Sequence, residues 1–412
     1  MKLLYFTTAN NEENYERIQS QSRVKASVAT QVFETALLRG MAQQEHLELT
    51  LHSFPMIASF PGSRLLCWGA RKESVAEVLQ TEWLPTVNLY GLKQFSQRLS
   101  AKRALKRWFR GNQNEPDKAV LLYSVYEPIA APVLKYCRRY GCKCFVIVPD
   151  LPRDMYKTLS KNKLMAAFQK RYMKRAVRCQ GGFDGYVYLT EAMREVVAPS
   201  APYIVVEGIA NPSTFPAAAE KAGTNRFAVM YAGAIHLKYG IGNLIEAFGL
   251  LHREDMELWL FGSGADAEKV KELASQNQNI RFFGRRSRDE VLAYERQAAL
   301  LVNVRDPNEA FTKYSFPSKT IEYMLSGTPL LTTRLPGIPK EYEKYLIMID
   351  NPSPEAIAAG IERVFRMTPE ARQALGNAAA GFIAEEKNSN KQAEKILRFA
   401  SEQLRASQGR DS

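Results

Sequence analysis

The stretch FPSKTIEYM combines residue types that suit an anionic, hydroxylated ligand. Pro317 is typical of the start of a helix, and Ser318 is a candidate N-cap. Backbone N–H groups at Ser318 to Thr320 would then be free to bind a phosphate, beside the positive charge of Lys319. Glu322 follows about 6 Å along the helix axis, where its carboxylate could accept hydrogen bonds from the hydroxyls of a ribose. A glutamate in a first helical turn is also common on electrostatic grounds alone, so both interpretations stay open at this point.

No evident metal or cofactor site accompanies this stretch. The chain contains no Asp-x-Asp sequence, and none of its four histidines has an obvious base partner. Three of the five cysteines lie in CRRYGCKC, but no second Cys/His pair follows, and Cys144 opens an apolar run typical of a strand. Reduced cytosolic thiols are therefore favoured over a zinc site. We expect neither a metal nor a cofactor, with Lys and Arg side chains neutralising a leaving phosphate group.

The elements that must position these residues follow a β–α rhythm. At 412 residues the chain is long enough for two domains. Helical patterns such as VATQVFETALLRGMAQ alternate in the first half with short β-rich runs, which are KLLYFTT, HLELTLHSFP, AVLLYSVYEP, CKCFVIVPD, FDGYVYLTE and PYIVVEGI. This alternation predicts βαβ units around a parallel sheet. Ligands bind at the carboxyl ends of such strands, where Glu127, Asp150 and Glu191 would lie.

The same rhythm restarts after residues 210–225, which are rich in Pro, Ala, Gly and Ser and are typical of a linker. Helical patterns again alternate with strand-like runs, which are FAVMYAG, MELWLFGSG, IRFFGRR, ALLVNVRDP and YLIMID. We therefore predict an α/β protein with two Rossmann-like domains that face each other across a cleft. The predicted domains are 1–208, completed by a C-terminal helix at about 386–412, and 209–385.

The net charge of +13 has a source in two basic stretches of the first half. Residues 92–114 contain seven Lys or Arg and residues 156–183 contain eight, with no Asp or Glu in either stretch and with apolar residues at helical spacing. Such helices can lie on an anionic membrane surface, where each basic residue contributes about 1 kcal/mol. Plain solvated helices and a nucleic-acid patch are the alternatives. Nucleic acid ranks last, and no nucleic-acid partner is expected, because no motif of that kind accompanies the charge.

Neither a signal peptide nor a membrane-spanning helix is predicted. The apolar part of MKLLYFTTAN is too short for a signal peptide, and no run approaches about 18 uninterrupted apolar residues. We therefore expect a cytoplasmic protein that associates peripherally with the inner face of the cell membrane.

Four segments of the second half occur in a recognisable order. They are FAVMYAGAIHLKYGIGNLIEAFGLL, LWLFGSGADAEKVKEL, IRFFGRRSRDEVLAYERQA and FPSKTIEYMLSGTPLLTT. They resemble the donor-binding half of group 1 (family 4) retaining glycosyltransferases of the GT-B fold, in particular those that act on bacterial surface polysaccharides. The resemblance is dense from Phe227 to Tyr342 and thinner in the first half, where it rests on FDGYVYLTEAM and YIVVEGIANP. It implies a nucleotide-sugar donor in the second domain and an acceptor in the first.

The resemblance also implies roles for individual residues. Glu322 is similar to the second Glu of the family's E-x7-E element, which binds the donor ribose. Ser318 and Thr320 join the donor-binding set at the helix start, and His236 is either a donor contact or a plain loop residue. The remaining implied donor-binding positions lie in the strand-end loops and the base pocket, and they are Gly233, Gly262, Gly264 and Arg285.

The chain departs from the family pattern at the donor sugar. Tyr314 occupies the position eight residues before Glu322, where the first Glu of the element belongs. The Tyr314 hydroxyl or Glu309 could substitute for that contact with the sugar, or the contact is lost.

A second departure concerns the diphosphate. The Arg and Lys of the family fall at Ala234 and Tyr239, whereas Lys238 is one position away. Lys238, Arg305 and Lys319 are therefore the cations expected to stabilise a departing nucleoside diphosphate. In this family stereochemistry is usually retained, and the leaving phosphate is credited with accepting the acceptor proton.

We therefore expect a glycosyltransferase that moves a sugar from a nucleotide sugar to a glycan acceptor, in the synthesis of a bacterial capsule, exopolysaccharide or cell-wall polysaccharide. An acceptor carried on a polyprenyl diphosphate would account for the basic and apolar surface of the first domain. Glu127 and Asp150 could orient the acceptor hydroxyl, unless they are ordinary polar strand ends. A catalytically silent partner subunit that binds nucleotide sugars, and an enzyme similar to nucleotide-sugar 2-epimerases, remain as alternatives.

Overall fold

The computed structural model describes residues 1–23, 27–77, 79–151, 163–210 and 226–408. The chain divides into two compact units. The first contains Met1–Ile209 and Ser389–Ser412, and the second contains Ala210–Asn388. Apart from Ala210, the predicted linker at 210–225 lies outside the described residues.

The first unit is built on a sheet of mostly parallel strands. Its strands are β1 (Lys2–Thr7), β2 (Glu48–Ser53), β3 (Cys67–Trp68), β4 (Lys72–Val75), β5 (Leu79–Trp83), β6 (Thr86–Val87), β7 (Lys118–Tyr123), β8 (Lys143–Val148), β9 (Gly185–Tyr188) and β10 (Tyr203–Val205). Its helices before the second unit are α1 (Glu12–Gln21), α2 (Val28–Ala42), α3 (Leu92–Gly111), α4 (Glu127–Arg139), α5 (Lys163–Gln180) and α6 (Met193–Val197). The main sheet has the order β10-β9-β8-β7-β1-β2-β5-β4. Among the described strands of this sheet, β4 alone runs antiparallel to its neighbour, and β3 pairs with β6 apart from the main sheet.

The second unit contains one parallel sheet between helices. Its strands are β11 (Phe227–Ala234), β12 (Met256–Ser263), β13 (Ile280–Gly284), β14 (Leu300–Asn303), β15 (Leu330–Thr333) and β16 (Ile347–Ile349). Its helices are α7 (Ile241–Leu250), α8 (Ala267–Ser275), α9 (Arg288–Gln297), α10 (Lys319–Leu325), α11 (Pro354–Phe365) and α12 (Pro369–Glu386). The order β13-β12-β11-β14-β15-β16 is the doubly wound 3-2-1-4-5-6 arrangement.

Alternate residues of β11 explain why its sequence is apolar throughout. Val229 and Tyr231 belong to one buried cluster, whereas Ala228, Met230 and Ala232 belong to another on the opposite face. A strand covered by helices on both faces has no polar side, as is usual in parallel sheets. The predicted parallel α/β units are confirmed in both halves of the chain.

The last helix, α13 (Ser389–Gln408), belongs to the first unit. Its Ile396 and Phe399 share a buried cluster with Leu37 of α2. The start of α13 approaches α2 so closely that a Cβ on Gly40 would lie 1.9 Å from the carbonyl oxygen of Ser389. The C-terminal helix thus completes the core of the first unit.

The two basic stretches correspond to α3 and to a region that includes α5. In α3, Leu105, Trp108 and Phe109 are buried, so the expectation that they contribute to an exposed apolar surface is wrong. Leu92, Phe95 and Leu99 are exposed on the first two turns instead. Residues 156–162 of the second stretch lie outside the described residues. Within the described ranges, every helix is too short or too polar to cross a bilayer.

Candidate active site

The second sheet opens at the point where its strand order reverses. β11 stays paired with β12 as far as Ala234, but it pairs with β14 only at Val229↔Leu300 and Met230↔Leu301. Beyond Met230 the two central strands therefore diverge. Ligands of open α/β sheets bind in such a crevice, at the carboxyl ends of the strands.

Tyr323 of α10 takes the place of a strand at this opening. Its hydroxyl donates to the carbonyl oxygen of Ala232 (2.8 Å) and accepts from the amide nitrogen of Ala232 (2.7 Å). The Tyr323 side chain is 1% exposed. Because both backbone groups of Ala232 bond to this one hydroxyl, α10 is fixed against β11. α10 therefore holds Lys319 and Glu322 at the carboxyl edge of the sheet.

The glycines of the predicted donor loops bring two loops into backbone contact. Gly262 has a φ of +136°, and a Cβ there would lie 1.8 Å from the carbonyl oxygen of Gly233. A Cβ on Gly264 would lie 2.2 Å from the carbonyl oxygen of Ile235. At Gly233 the nearest atom to a Cβ would be the phenol oxygen of Tyr231, at 3.0 Å. Packing between the ends of β11 and β12 and the loops that follow them is therefore sufficient to require glycine at 262 and 264.

Three of the predicted site residues surround the ring of Tyr239. The guanidinium carbon of Arg305 lies 4.7 Å from the ring centroid, and Nζ of Lys238 lies 5.2 Å from it. The His236 ring centroid is 5.5 Å away. Nε of Arg305 is buried, and the described part of the chain offers it no hydrogen-bond partner. Two cations thus lie beside one aromatic ring at the opening of the sheet, an arrangement that suits a bound diphosphate.

Two contacts hold this cluster in place. Gly240 follows Tyr239 with a φ of +84°, and a Cβ there would lie 2.0 Å from the carbonyl oxygen of Val304, which directly precedes Arg305. On the other side, a carboxylate oxygen of Asp266 accepts from the amide of Leu237 (2.9 Å). The same oxygen lies 3.7 Å from Nδ1 of His236. The turn after β11 is therefore fixed to the ends of both β12 and β14.

The start of α10 differs from the expectation in two respects. Ser318 precedes the helix, but its backbone is already helical and its side chain accepts no capping hydrogen bond. The amide of Thr320 donates to the carbonyl oxygen of Pro317 (2.8 Å), so it is not free as predicted. The Thr320 hydroxyl is buried without a hydrogen-bond partner among the described residues. The chain folds into a turn before the helix, and this turn uses one of the amides that a phosphate would need.

Lys319 and Glu322 form a cluster with Glu295, which the sequence analysis missed. Nζ of Lys319 donates to Glu322 and lies 3.3 Å from Oε1 of Glu295. Glu295, on α9, is fully buried, while the Glu322 side chain is 20% exposed and has Arg288 at 3.8 Å. Burial, opposed by the charge of Lys319, raises the pKa of Glu295 well above its ordinary value. The Lys319 charge is therefore balanced within this cluster. The prediction from sequence was instead that this charge would stabilise a departing nucleoside diphosphate.

The other predicted donor-side residues lie nearer the surface. Arg285 is exposed in the loop directly after β13, and Glu309 is exposed before the short helical turn Ala310–Lys313. Tyr314 follows that turn, half-buried, with Nζ of Lys313 5.7 Å from its ring centroid. The side chains of Tyr314 and Glu309 thus lie on the segment between β14 and α10.

The predicted acceptor-side carboxylates have different surroundings. Glu127 is the first residue of α4 and is buried, and Arg98 of α3 donates to both of its carboxylate oxygens. Asp150 is exposed after β8. Glu191, which was predicted only as a strand-end carboxylate, accepts from the hydroxyl of Tyr203. Arg98 thus gives Glu127 a structural partner inside the first unit.

The first unit contains a second buried carboxyl group that the sequence analysis missed. Glu34 of α2 accepts hydrogen bonds at the end of β1, from the hydroxyls of Tyr5, Thr7 and Thr8 and from the amide of Thr8 (3.0 Å). Burial raises the pKa of Glu34 to about 7. Glu34 lies three and four residues before Leu37 and Leu38 on the apolar face of α2, and this spacing is the sequence feature that indicates its burial. Glu34 fixes the backbone where β1 ends, at the ligand-binding edge of this sheet.

No group of three or more His, Cys, Asp or Glu side chains in the described ranges could hold a metal ion. The five cysteines have free thiols, and Cys137, Cys142 and Cys144 are buried.

Comparison with known proteins assigns a family to the second unit. Residues 226–367 match the family model described as Glycosyl transferases group 1. The second unit carries a group 1 glycosyltransferase domain. The activity class of the protein is therefore that of a glycosyltransferase. A search of curated proteins found no match.

Solved structures show that the whole chain has the GT-B fold. Sucrose-phosphate synthase from Thermosynechococcus elongatus aligns with a TM-score of 0.63 at 13% identity, over 98% of this chain and 100% of the other. Alpha,alpha-trehalose 6-phosphate synthase from Burkholderia multivorans aligns with a TM-score of 0.61 at 10% identity, over 100% and 98%. HepE from Anabaena in complex with UDP aligns with a TM-score of 0.59 at 12% identity, over 97% and 100%. At these identities the likeness establishes the fold alone.

Proposed function

We propose that this glycosyltransferase moves a sugar from a nucleotide-sugar donor to a glycan acceptor. One observation carries the proposal: Glu322, Arg305 and Lys238 converge on the opening of the second sheet, inside the segment that matches the group 1 glycosyltransferase model. A carboxylate suits the ribose hydroxyls, and two cations suit the diphosphate. HepE, one of the structural neighbours, is described in complex with UDP, which supports a nucleoside diphosphate as the ligand.

In the proposed reaction the departing diphosphate develops negative charge beside Arg305 and Lys238. The ring of Tyr239 holds both cations without neutralising them, so their charge remains available to the leaving group. Lys319 instead orients Glu322, because its ammonium group is bonded to carboxylates. We propose retention of configuration, with the leaving phosphate accepting the acceptor proton, on the strength of the family resemblance.

Donor binding is tested by thermal-shift measurement against UDP, GDP and CMP sugars. We expect stabilisation by one of these series, since a ligand that binds only the folded state raises the unfolding temperature. Stabilisation by none of them would refute the proposal. Hydrolysis of the stabilising donor without an acceptor would distinguish an enzyme from a silent partner subunit.

Glu322→Ala tests the ribose contact. We expect the dissociation constant of the stabilising nucleotide to rise about tenfold, because hydrogen bonds to a charged group contribute about 1.5–3 kcal/mol. Glu355→Ala is the matched control, since Glu355 is an exposed glutamate in the first turn of α11. An equal effect of both substitutions would favour a general helix-dipole role for Glu322.

Arg305→Ala should lower turnover, and unchanged donor affinity and turnover would remove Arg305 from the mechanism.

We further propose that the acceptor is carried on a polyprenyl diphosphate at the inner face of a bacterial cell membrane, in the synthesis of a surface polysaccharide. The exposed face of α3 supports a membrane contact. Its first two turns expose Leu92 and Phe95, which is 67% exposed, and its later turns expose basic residues such as Lys102, Arg103 and Lys106. Apolar insertion beside a cationic surface is the arrangement that binds an anionic bilayer.

Flotation with liposomes tests the membrane contact. We expect binding to anionic vesicles that weakens at high salt and weakens further in Phe95→Asp. Leu250→Asp is the matched control, because Leu250 is an exposed apolar residue of the second unit. Binding that is independent of salt, or equal in both variants, would contradict the proposal.

A further inference from the structure

Glu295 occupies an unusual position for a glutamate in this site. It is fully buried on α9, and Nζ of Lys319 reaches its Oε1 at 3.3 Å. Its other oxygen, Oε2, is buried and accepts no hydrogen bond from any donor in the described part of the chain. A buried carboxylate oxygen without a donor is costly, at about 1–3 kcal/mol or more for a charged group.

The neighbouring groups show how this cost is avoided. Nζ of Lys319 contacts Oε1 of both Glu295 and Glu322, so the two carboxyl groups lie side by side, and a hydrogen bond between them shifts the pKa of each. Two ionised carboxylates cannot form that bond, since both only accept. A proton on Glu295 lets its carboxyl group donate to Glu322 and removes a like-charge repulsion.

The charges around the pair favour the proton on Glu295. From α10, Lys319 contacts both carboxyl groups, and the phenol of Tyr323 is a neutral neighbour. From α9, Arg288 approaches only Glu322, at 3.8 Å. Burial opposes ionisation of both groups, but Lys319, the hydrogen bond from Glu295 and then Arg288 hold the pKa of Glu322 below its ordinary value, while that of Glu295 is raised. The group nearer the surface is therefore the anion.

We propose that Glu295 is a positioning residue that holds a proton between its own carboxyl group and that of Glu322, and so fixes the orientation and charge of the donor-binding carboxylate. The proposal rests on the proposed role of Glu322 in donor binding. With Lys319 charged, Glu322 ionised and Glu295 neutral, these three groups carry no net charge. Loss of the proton would add a negative charge beside the site of the donor diphosphate. Donor affinity should then fall as the pH rises through the pKa of Glu295.

Two substitutions at Glu295 distinguish the effect of the proton on nucleotide affinity from the effect of side-chain packing. Glu295→Gln keeps a neutral donor and acceptor of the same size, so it should retain most of the donor affinity near pH 7 and lose the decline of affinity with rising pH. Glu295→Leu removes the hydrogen bonds and leaves Lys319 and Glu322 unsupported. We expect a rise of about tenfold or more in the dissociation constant of the nucleotide.

The matched control is Glu257→Gln. Glu257 is equally buried in the second unit, but it lies near the start of β12 and bonds to Arg281 and Trp259. It therefore lies towards the amino ends of the strands, away from the opening. This variant should leave the pH dependence of nucleotide binding unchanged.

The experiment titrates UDP and GDP against the full-length wild type and each variant between about pH 6 and pH 9, with unfolding temperatures as a check on folding. Infrared spectroscopy without ligand supplies an independent measurement, since the difference spectrum between the wild type and Glu295→Gln should contain the carbonyl band of a protonated buried carboxyl group, whereas any band of the buried Glu34 is common to both proteins and cancels. Failure of the wild type to bind either nucleotide, with the band present, would overturn the donor proposal and leave the shared proton established. Absence of the band from the difference spectrum, or a decline of affinity with rising pH that is retained in Glu295→Gln, would overturn the role of Glu295.

Discussion

Removing the Tyr323 hydroxyl should destabilise the protein and weaken its donor site together. Tyr323→Phe deletes one oxygen atom and preserves the ring, so packing around α10 changes little. That oxygen, however, bonds to both the amide and the carbonyl group of Ala232, at 2.7 and 2.8 Å. β14 has already diverged from β11 at this point, so no strand is in register to replace the hydroxyl.

The size of the effect follows from the two backbone groups that lose their partner. An unsatisfied buried polar group costs about 1–3 kcal/mol, and a carbonyl oxygen with two lone pairs tends towards the lower end. We therefore expect Tyr323→Phe to lower the free energy of unfolding by about 2–4 kcal/mol. Because α10 carries Glu322 and Lys319, nucleotide affinity should fall several-fold as well.

Denaturant unfolding of the full-length protein and nucleotide titration measure the two effects. Tyr294→Phe is the matched control, since Tyr294 packs against Trp259 and Phe261 through its ring. The same deletion there should change the free energy of unfolding by no more than about 0.5 kcal/mol. A loss in Tyr323→Phe no larger than that of the control would refute the view that Tyr323 replaces a strand partner at the opening.

Two further predictions concern buried carboxyl groups of the first unit. Burial raises the pKa of Glu34 from its ordinary 4.5 to about 7, so the stability that the neutral group contributes is present below pH 4.5 and is lost as the pH rises through 7. The free energy of unfolding of Glu34→Gln should therefore rise relative to that of the wild type by roughly 2–3 kcal/mol between about pH 5 and pH 8, as measured by denaturant unfolding at both pH values. Arg98→Ala would leave the buried carboxylate of Glu127 unpaired and should cost about 3 kcal/mol, whereas the double variant Arg98→Ala/Glu127→Gln should recover part of that loss. Equal losses in the single and double variants would contradict the pairing.

The sequence was sufficient to predict the parallel sheets because their strands are apolar on both faces. In β11 and β12 the apolar residues form nearly continuous runs that end at glycine, and such runs are typical of strands that helices cover on both sides. Among the strands between Cys67 and Val87, none of which was predicted, β3 and β6 have two residues each and show no alternation. Their positions depend on tertiary packing, such as the contact between Trp68 and Trp83.

The donor site was predicted in part, and the missing residues share a physical reason. Glu322 and Lys319 stand out because they follow a proline at the start of a helix. Glu295 lies in RDEVLAYERQ, where charged residues are frequent and a buried one resembles its solvated neighbours. Its one distinguishing feature is its spacing of three residues from Leu292, the other buried residue of α9. Burial of a charged group depends on a partner from another helix, here Lys319, and helical periodicity alone carries no information about that partner.

Tyr239 illustrates how a departure from a family pattern can be compensated within one site. At a position where the resemblance implies a cation for the diphosphate, this chain has a phenol ring. An aromatic face attracts cations, and Arg305 and Lys238 lie 4.7 and 5.2 Å from it, so two positive charges are held close together without a carboxylate partner among the described residues. A carboxylate partner would neutralise them, as happens at Lys319. The ring instead leaves their charge available to an anion. The absence of a cation at 239 is therefore compatible with diphosphate binding, provided that both neighbouring cations are retained.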